Sequence, residues 1–177
     1  METLPYRYFD YNLSMEPSRK PTRLPGYDYS QAGYYFVTIC THNKIHLFGE
    51  ITSGNMILNQ LGEIVVATWT NLPKHFIGIS IDDFIVMPNH LHGIIIIEDV
   101  KTPLKQTPIK NPSLVVIVGS FKTWSARKIN ALTNRTGKPV WQRSFYDHVI
   151  RNETGLNHIR EYIINNPIQW GLGEDDY

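Results

Sequence analysis

Alternation comes first along the chain. In "YYFVTICT", residues 34–41, aromatic and β-branched residues recur with a period of two, which predicts a strand. "HLFGEI" and "NMILN" repeat that pattern on either side of Thr52-Ser53-Gly54, and this predicts a hairpin. The spacing then changes. Leu61, Val65, Trp69 and Leu72 recur every three or four residues, so a helix is expected over about 59–76, with Pro73 marking its end. "ISIDDFIVMP" and "HLHGIIIIED" read as two strands joined by a tight turn at Pro88-Asn89.

A loop punctuated by lysine and proline follows over roughly 100–112. "SLVVIVGSFKTWSARKINAL" has the length of a helix, with Ser113 as its cap and basic residues along one side. "VWQRSFYDHVI" returns to an extended pattern. "NETGLNHIREYIINNP" is a last helix, capped by Asn152, with Pro167 following its final turn. Residues 1–33, rich in Pro, Tyr and Arg, read as an arm, 34–170 as one domain, and 171–177 as an acidic tail. The order of elements predicts an α+β fold, an antiparallel sheet flanked by helices.

Composition narrows this picture. The 177 residues suffice for one domain with a real core. The longest aliphatic run, Ile94 to Ile97, is far short of a membrane span, and no secretory leader is expected. Cys40 is the single cysteine, which excludes an intramolecular disulfide and a multi-cysteine zinc cage. A cytoplasmic protein with no membrane partner is the expectation.

Net charge is only +1, yet it is unevenly spread. Between Lys101 and Arg151 ten basic residues face one acid, Asp147, a local charge of +9. Such a segment points to a polyanion-binding face, although a solvated helix beside a basic loop has the same composition. Lys122, Arg127 and Lys128 on the helix, with Gln142 and Arg143 after it, are the candidate nucleic-acid contacts.

Chemistry enters with "VMPNHLHGIIIIED". A strand repeats every two residues, so His90 and His92 share one face while Leu91 takes the other. Two neutral imidazoles side by side suit one divalent cation. Tyr162 and Asn166, spaced i and i+4, lie on one stripe of the last helix beside its apolar stripe. A carboxamide oxygen there favours Mg²⁺ or Mn²⁺ over zinc. A boundary tyrosine and a helix cap ahead of proline produce the same pair, and spacing alone leaves both readings open.

"MPNHLHGIII", a basic helix, "VWQRSFYDHVIRNE" and "IREYIINNP", in this order after "RLPGYDYSQAGYYFVTICT", resemble the IS200-like tyrosine transposases, in particular their REP-associated branch. The resemblance covers about residues 20–170. It implies a ferredoxin-like, RRM-like sheet with the histidine pair on a central strand and the nucleophile on a helix. It further implies a single-strand DNA transesterase of the HUH type that works through a 5′-phosphotyrosine. By position, His90 and His92 become metal ligands and Tyr162 the nucleophile. Asn166 takes the place of a third ligand, where insertion-sequence relatives usually carry Gln.

Single strands bearing REP-like hairpins become the expected partner, with a monomer favoured over a homodimer. Arg23, in the N-terminal block, joins the expected DNA contacts. Tyr146 ranks second as nucleophile because it lacks an i+4 ligand partner; with His148 it lines the site, touches DNA or simply packs in its strand. Two other classes compete. A non-catalytic RRM-like module would stack bases on exposed aromatics, for which Tyr34-Tyr35-Phe36 is a faint substitute. A replication initiator or relaxase would share the chemistry, but the chain has neither a helicase domain nor paired nucleophilic tyrosines.

Overall fold

A computed structural model describes residues 23–100 and 111–172. The alternating segments become β1 (Gly33–Cys40), β2 (Gly49–Thr52), β3 (Asn55–Leu58), β4 (Ile79–Val86), β5 (His90–Ile97) and β6 (Tyr146–Ile150). The helices are α1 (Gln60–Thr70), α2 (Leu72–His75), α3 (Leu114–Leu132) and α4 (Glu153–Gly171). Four strands form an antiparallel sheet in the order β4-β5-β1-β6, while β2 and β3 pair separately as a ribbon. Without that ribbon and the short α2, the chain runs β1-α1-β4-β5-α3-β6. This is the expected ferredoxin-like arrangement, an α+β sheet flanked by helices, with α4 added.

The period of two divides β5 between two layers. Leu91, Ile95 and Ile97 enter the main core with Tyr35, Val37 and Ile39 of β1, Val65 and Trp69 of α1, and Leu114, Ile117 and Phe121 of α3. Each such aliphatic side chain contributes about 1.5–3 kcal/mol when fully buried. The opposite face presents His90, His92 and Ile94, and Ile94 packs with Ile150, Leu156 and Ile163 under α4. Gly93 permits the main-core packing. A Cβ there would stand 2.6 Å from Cζ2 of Trp69 and 3.0 Å from Cβ of Phe84.

The hairpin falls where the sequence placed it. Ser53 and Gly54 have φ of 51° and 74°, as a two-residue turn between right-twisted strands requires. Three expectations need correction. The helix over 59–76 is two helices, and Pro73 opens the second instead of closing the first. In a first turn the missing N–H removes no helical bond. Pro167 lies inside α4, which runs on to Gly171. Its ring removes one internal bond, but the added turn carries Trp170 to the rings of His46 and His90. Finally, in "VWQRSFYDHVI" only Tyr146–Ile150 pairs with β1, apart from a bridge between Trp141 and Thr41. Between them Lys122 Nζ donates to the carbonyls of Gln142, Arg143 and Ser144, which holds the chain out of the sheet.

The loop expected over 100–112 falls largely outside the described residues, as do most of the arm and the end of the tail. Of the arm, Tyr29 is buried in the main core and its ring packs against Tyr27 and Tyr35.

Candidate active site

Two periodicities coincide where α4 crosses β5. Two residues along a strand advance about 6.6 Å, and four along a helix about 6 Å. Tyr162 and Asn166 therefore reach His92 and His90 in turn. The helix is seated by three devices. Asn152 caps it, accepting from the Gly155 N–H at 2.8 Å. Leu156 and Ile163 pack on Ile94 and Ile150, with Phe36, Ile85 and Ile159 around them. Arg160, two residues before Tyr162, holds Asp82 of β4 through two bonds of 3.2 and 2.6 Å.

The imidazoles lie with centroids 4.4 Å apart, inclined at 68°. The Tyr162 hydroxyl is 3.2 Å from Nε2 of His92, whose Nδ1 meets Oγ1 of Thr38 at 2.9 Å. Phe36 stacks on the His92 ring. Nδ1 of His90 donates to Oδ1 of Asn89 at 2.6 Å, which leaves its Nε2 with the lone pair. The Asn166 side chain interacts with His90. His90, His92 and Asn166 expose 1%, 0% and 0% of their surface, so all three are withdrawn from water.

Burial sets the protonation. Desolvation pushes His90 down to about 4; Lys44 adds to this, and the bond to Asn166 opposes it. His92 is driven well below the ordinary histidine value, first by burial and then by His90. Both rings are neutral at pH 7, the form that a metal ligand or a base requires. Two imidazole nitrogens and a carboxamide oxygen fit a divalent ion. Among the described residues no group of three or more His, Cys, Asp or Glu side chains is placed to hold a metal ion.

The other candidates are dispersed. Tyr146 pairs with Thr38, which pairs with His92, so it borders the site two strands away and is 55% exposed. His148 pairs with Phe36 on the same face. The Gln142 N–H bonds the carbonyl of Cys40, the residue paired with His90, and Arg143 is exposed next to it. Lys122 is spent on the three carbonyls of that loop, and burial lowers its pKa. Arg23 bonds Asp147 and the Phe145 carbonyl and lies over the Phe145 ring. Arg127 and Lys128 are exposed on α3, across the sheet from the histidines. Sequence reasoning missed Thr38, Asn89 and Trp170. Asn89 alone had a signal, since it directly precedes the histidine pair.

No family model matches the chain. An uncharacterized protein of Haemophilus influenzae is 46% identical over 167 residues, covering 86% of this chain and 89% of the relative. A second protein of that organism, described as "Putative REP-associated tyrosine transposase", is 23% identical over 155 residues, covering 83% and 77%. Among solved structures, a REP-associated tyrosine transposase bound to a REP hairpin superposes with a TM-score of 0.53 at 19% identity. That match covers 89% of this chain and 75% of the other. The chain is thus similar, at low identity, to proteins described as REP-associated tyrosine transposases. The solved transposase supports the fold, a four-stranded antiparallel sheet between helices. Among the described residues no helix is long and apolar enough to cross a membrane.

Proposed function

We propose that this chain cuts and rejoins single-stranded DNA next to hairpins, with Tyr162 as the nucleophile. The observation that carries the reading is the Tyr162 hydroxyl 3.2 Å from Nε2 of a buried, neutral histidine. Phenols lose their proton near pH ~10 in water, so an attacking tyrosine needs a base or a cation beside it. With Nδ1–H of His92 donating to Thr38, Nε2 carries the lone pair that receives the phenol proton. Oη then bonds to phosphorus, the bond from phosphorus to the 3′ oxygen breaks, and that oxygen leaves as a 3′-hydroxyl by taking a proton from water, to which the His92 imidazolium returns the phenol proton. A 5′-phosphotyrosine remains, and another 3′-hydroxyl reverses the step without an external energy source.

His90, His92 and Asn166 would hold Mg²⁺ or Mn²⁺, which supplies polarisation of the scissile phosphate and stabilises its developing charge. Where the Nε2 lone pair of His92 is given to such an ion, the cation beside the Tyr162 hydroxyl would supply the activation that the imidazole otherwise gives. The hairpin in the solved transposase is that protein's ligand; the basic segment makes a hairpin with single-stranded flanks the substrate proposed for this chain.

The test is a labelled hairpin oligonucleotide with single-stranded flanks, titrated with Mg²⁺ or Mn²⁺. Wild type should cleave it. The double variant His90→Ala/His92→Ala should bind it without cleaving, and full cleavage by that variant would overturn the metal reading. A wild type that binds but cuts nothing returns the chain to the class of binding modules.

A further inference from the structure

The layer opposite the histidines holds a cavity of about 390 Å³, lined by Thr68 and Asn71 at the end of α1, His75 of α2, and Trp124, Arg127 and Lys128 of α3. That volume falls within the range of small-ligand pockets, ~300–1,000 Å³. On α3 the three residues are spaced i, i+3 and i+4, so one stripe carries an aromatic ring beside two cations. Trp124 is held as a platform. His75 lies 4.6 Å from it between centroids, and Phe76 is stacked at 6.0 Å and 24°.

None of the six lining residues is acidic. Lys128, exposed like Arg127, brings its Nζ to 3.5 Å from Oγ1 of Thr68 at the rim. A ring flanked by two cations, with an amide and a hydroxyl at its edge, matches a nucleotide: a flat base next to an anionic phosphate. An acidic peptide would use the cations and leave the ring idle.

We propose that this cavity is a second polynucleotide subsite, taking one unpaired base against Trp124 and its flanking phosphates on Arg127 and Lys128. It rests on the reading that the chain acts on single strands, and it adds that the DNA is held on both layers of the sheet. The strand end at the histidines receives the phosphate to be cut, while the α1–α3 layer grips nucleotides some distance along the same molecule.

The experiment measures binding alone, by fluorescence anisotropy in metal-free buffer, with a labelled hairpin carrying single-stranded flanks. For Arg127→Ala/Lys128→Ala, whose side chains lie at the surface, the slope of log Kd against log salt should fall by about 1.4, at about 0.7 per phosphate of single strand. Scanning the flanks with abasic nucleotides should find one position that weakens wild type by about 5- to 160-fold, the worth of one base–aromatic stack. Trp124→Leu should show the same loss and be insensitive to that abasic position.

An unchanged salt slope, or abasic effects identical in wild type and Trp124→Leu, would overturn the subsite. So would a polyglutamate peptide that displaces the DNA and binds as tightly. The outcomes separate the two proposals. If the slope falls but wild type never cleaves in Mg²⁺ or Mn²⁺, the subsite stands and the catalytic reading fails; cleavage with an unmoved slope gives the reverse.

Discussion

Thr38→Val is nearly isosteric and removes one hydroxyl, the partner of Nδ1 of His92 at 2.9 Å. Both residues are at most 1% exposed, so no water replaces the lost bond. A buried polar group left without its partner costs about 1–3 kcal/mol, and Thr38→Val should lose that much in urea unfolding. The ring also loses the bond that fixes its tautomer and aims Nε2 at Tyr162. Loss of such a support typically costs about 10–100-fold in metal affinity or activity. Mn²⁺ titration by calorimetry should show that drop, and Thr38→Ser, which keeps the hydroxyl, should recover most of it. If Thr38→Val unfolds within a few tenths of a kcal/mol of wild type and binds Mn²⁺ equally well, the hydroxyl neither stabilises nor aims the ring.

Gly93→Ala should cost about 1–3 kcal/mol in thermal or chemical unfolding, because its Cβ would stand 2.6 Å from the Trp69 indole and the core would be overpacked; an unchanged midpoint would contradict this. Asp82→Asn should loosen α4 in a pH-dependent way. The Arg160 guanidinium holds the Asp82 carboxyl below its usual 3.8, against some desolvation. A carboxylate depressed on folding adds stability above its unfolded pKa and loses it as pH falls through the folded one. The gap in Tm between wild type and Asp82→Asn should thus be widest near neutral pH and close below about pH 4; a gap constant with pH would show that the ion pair is not its source.

The placement of the candidate site residues was legible where local periodicity decided it. Period two put His90 and His92 on one face, and period 3.6 put Tyr162 and Asn166 on one stripe; the fold seats the two pairs together. Thr38 was invisible because its role depends on strand register, the pairing of Thr38 with His92 across 54 positions. Pro167 misled because proline after a helix is the commoner case, whereas packing of Trp170 keeps the last turn of α4 wound. Counting charges gave a basic segment but not its layers. Arg127 and Lys128 lie across the sheet from the histidines, and Lys122 and Arg23 are occupied by carbonyls and by Asp147. A linear sequence does not say which cations are spent inside the fold.

The central claim is that Tyr162 attacks phosphorus, and covalent capture tests it most directly. Wild type, Tyr162→Phe and Tyr146→Phe are incubated with a 3′-labelled hairpin substrate and Mn²⁺, then boiled in detergent and resolved on a gel; the label stays with the strand whose 5′-phosphate the tyrosine holds. Tyr162→Phe keeps the ring that packs against Phe36 and should fold and bind DNA normally. The labelled protein–DNA adduct should form with wild type and with Tyr146→Phe, and be absent with Tyr162→Phe. An adduct that persists in Tyr162→Phe, or that Tyr146→Phe alone abolishes, would contradict the assignment.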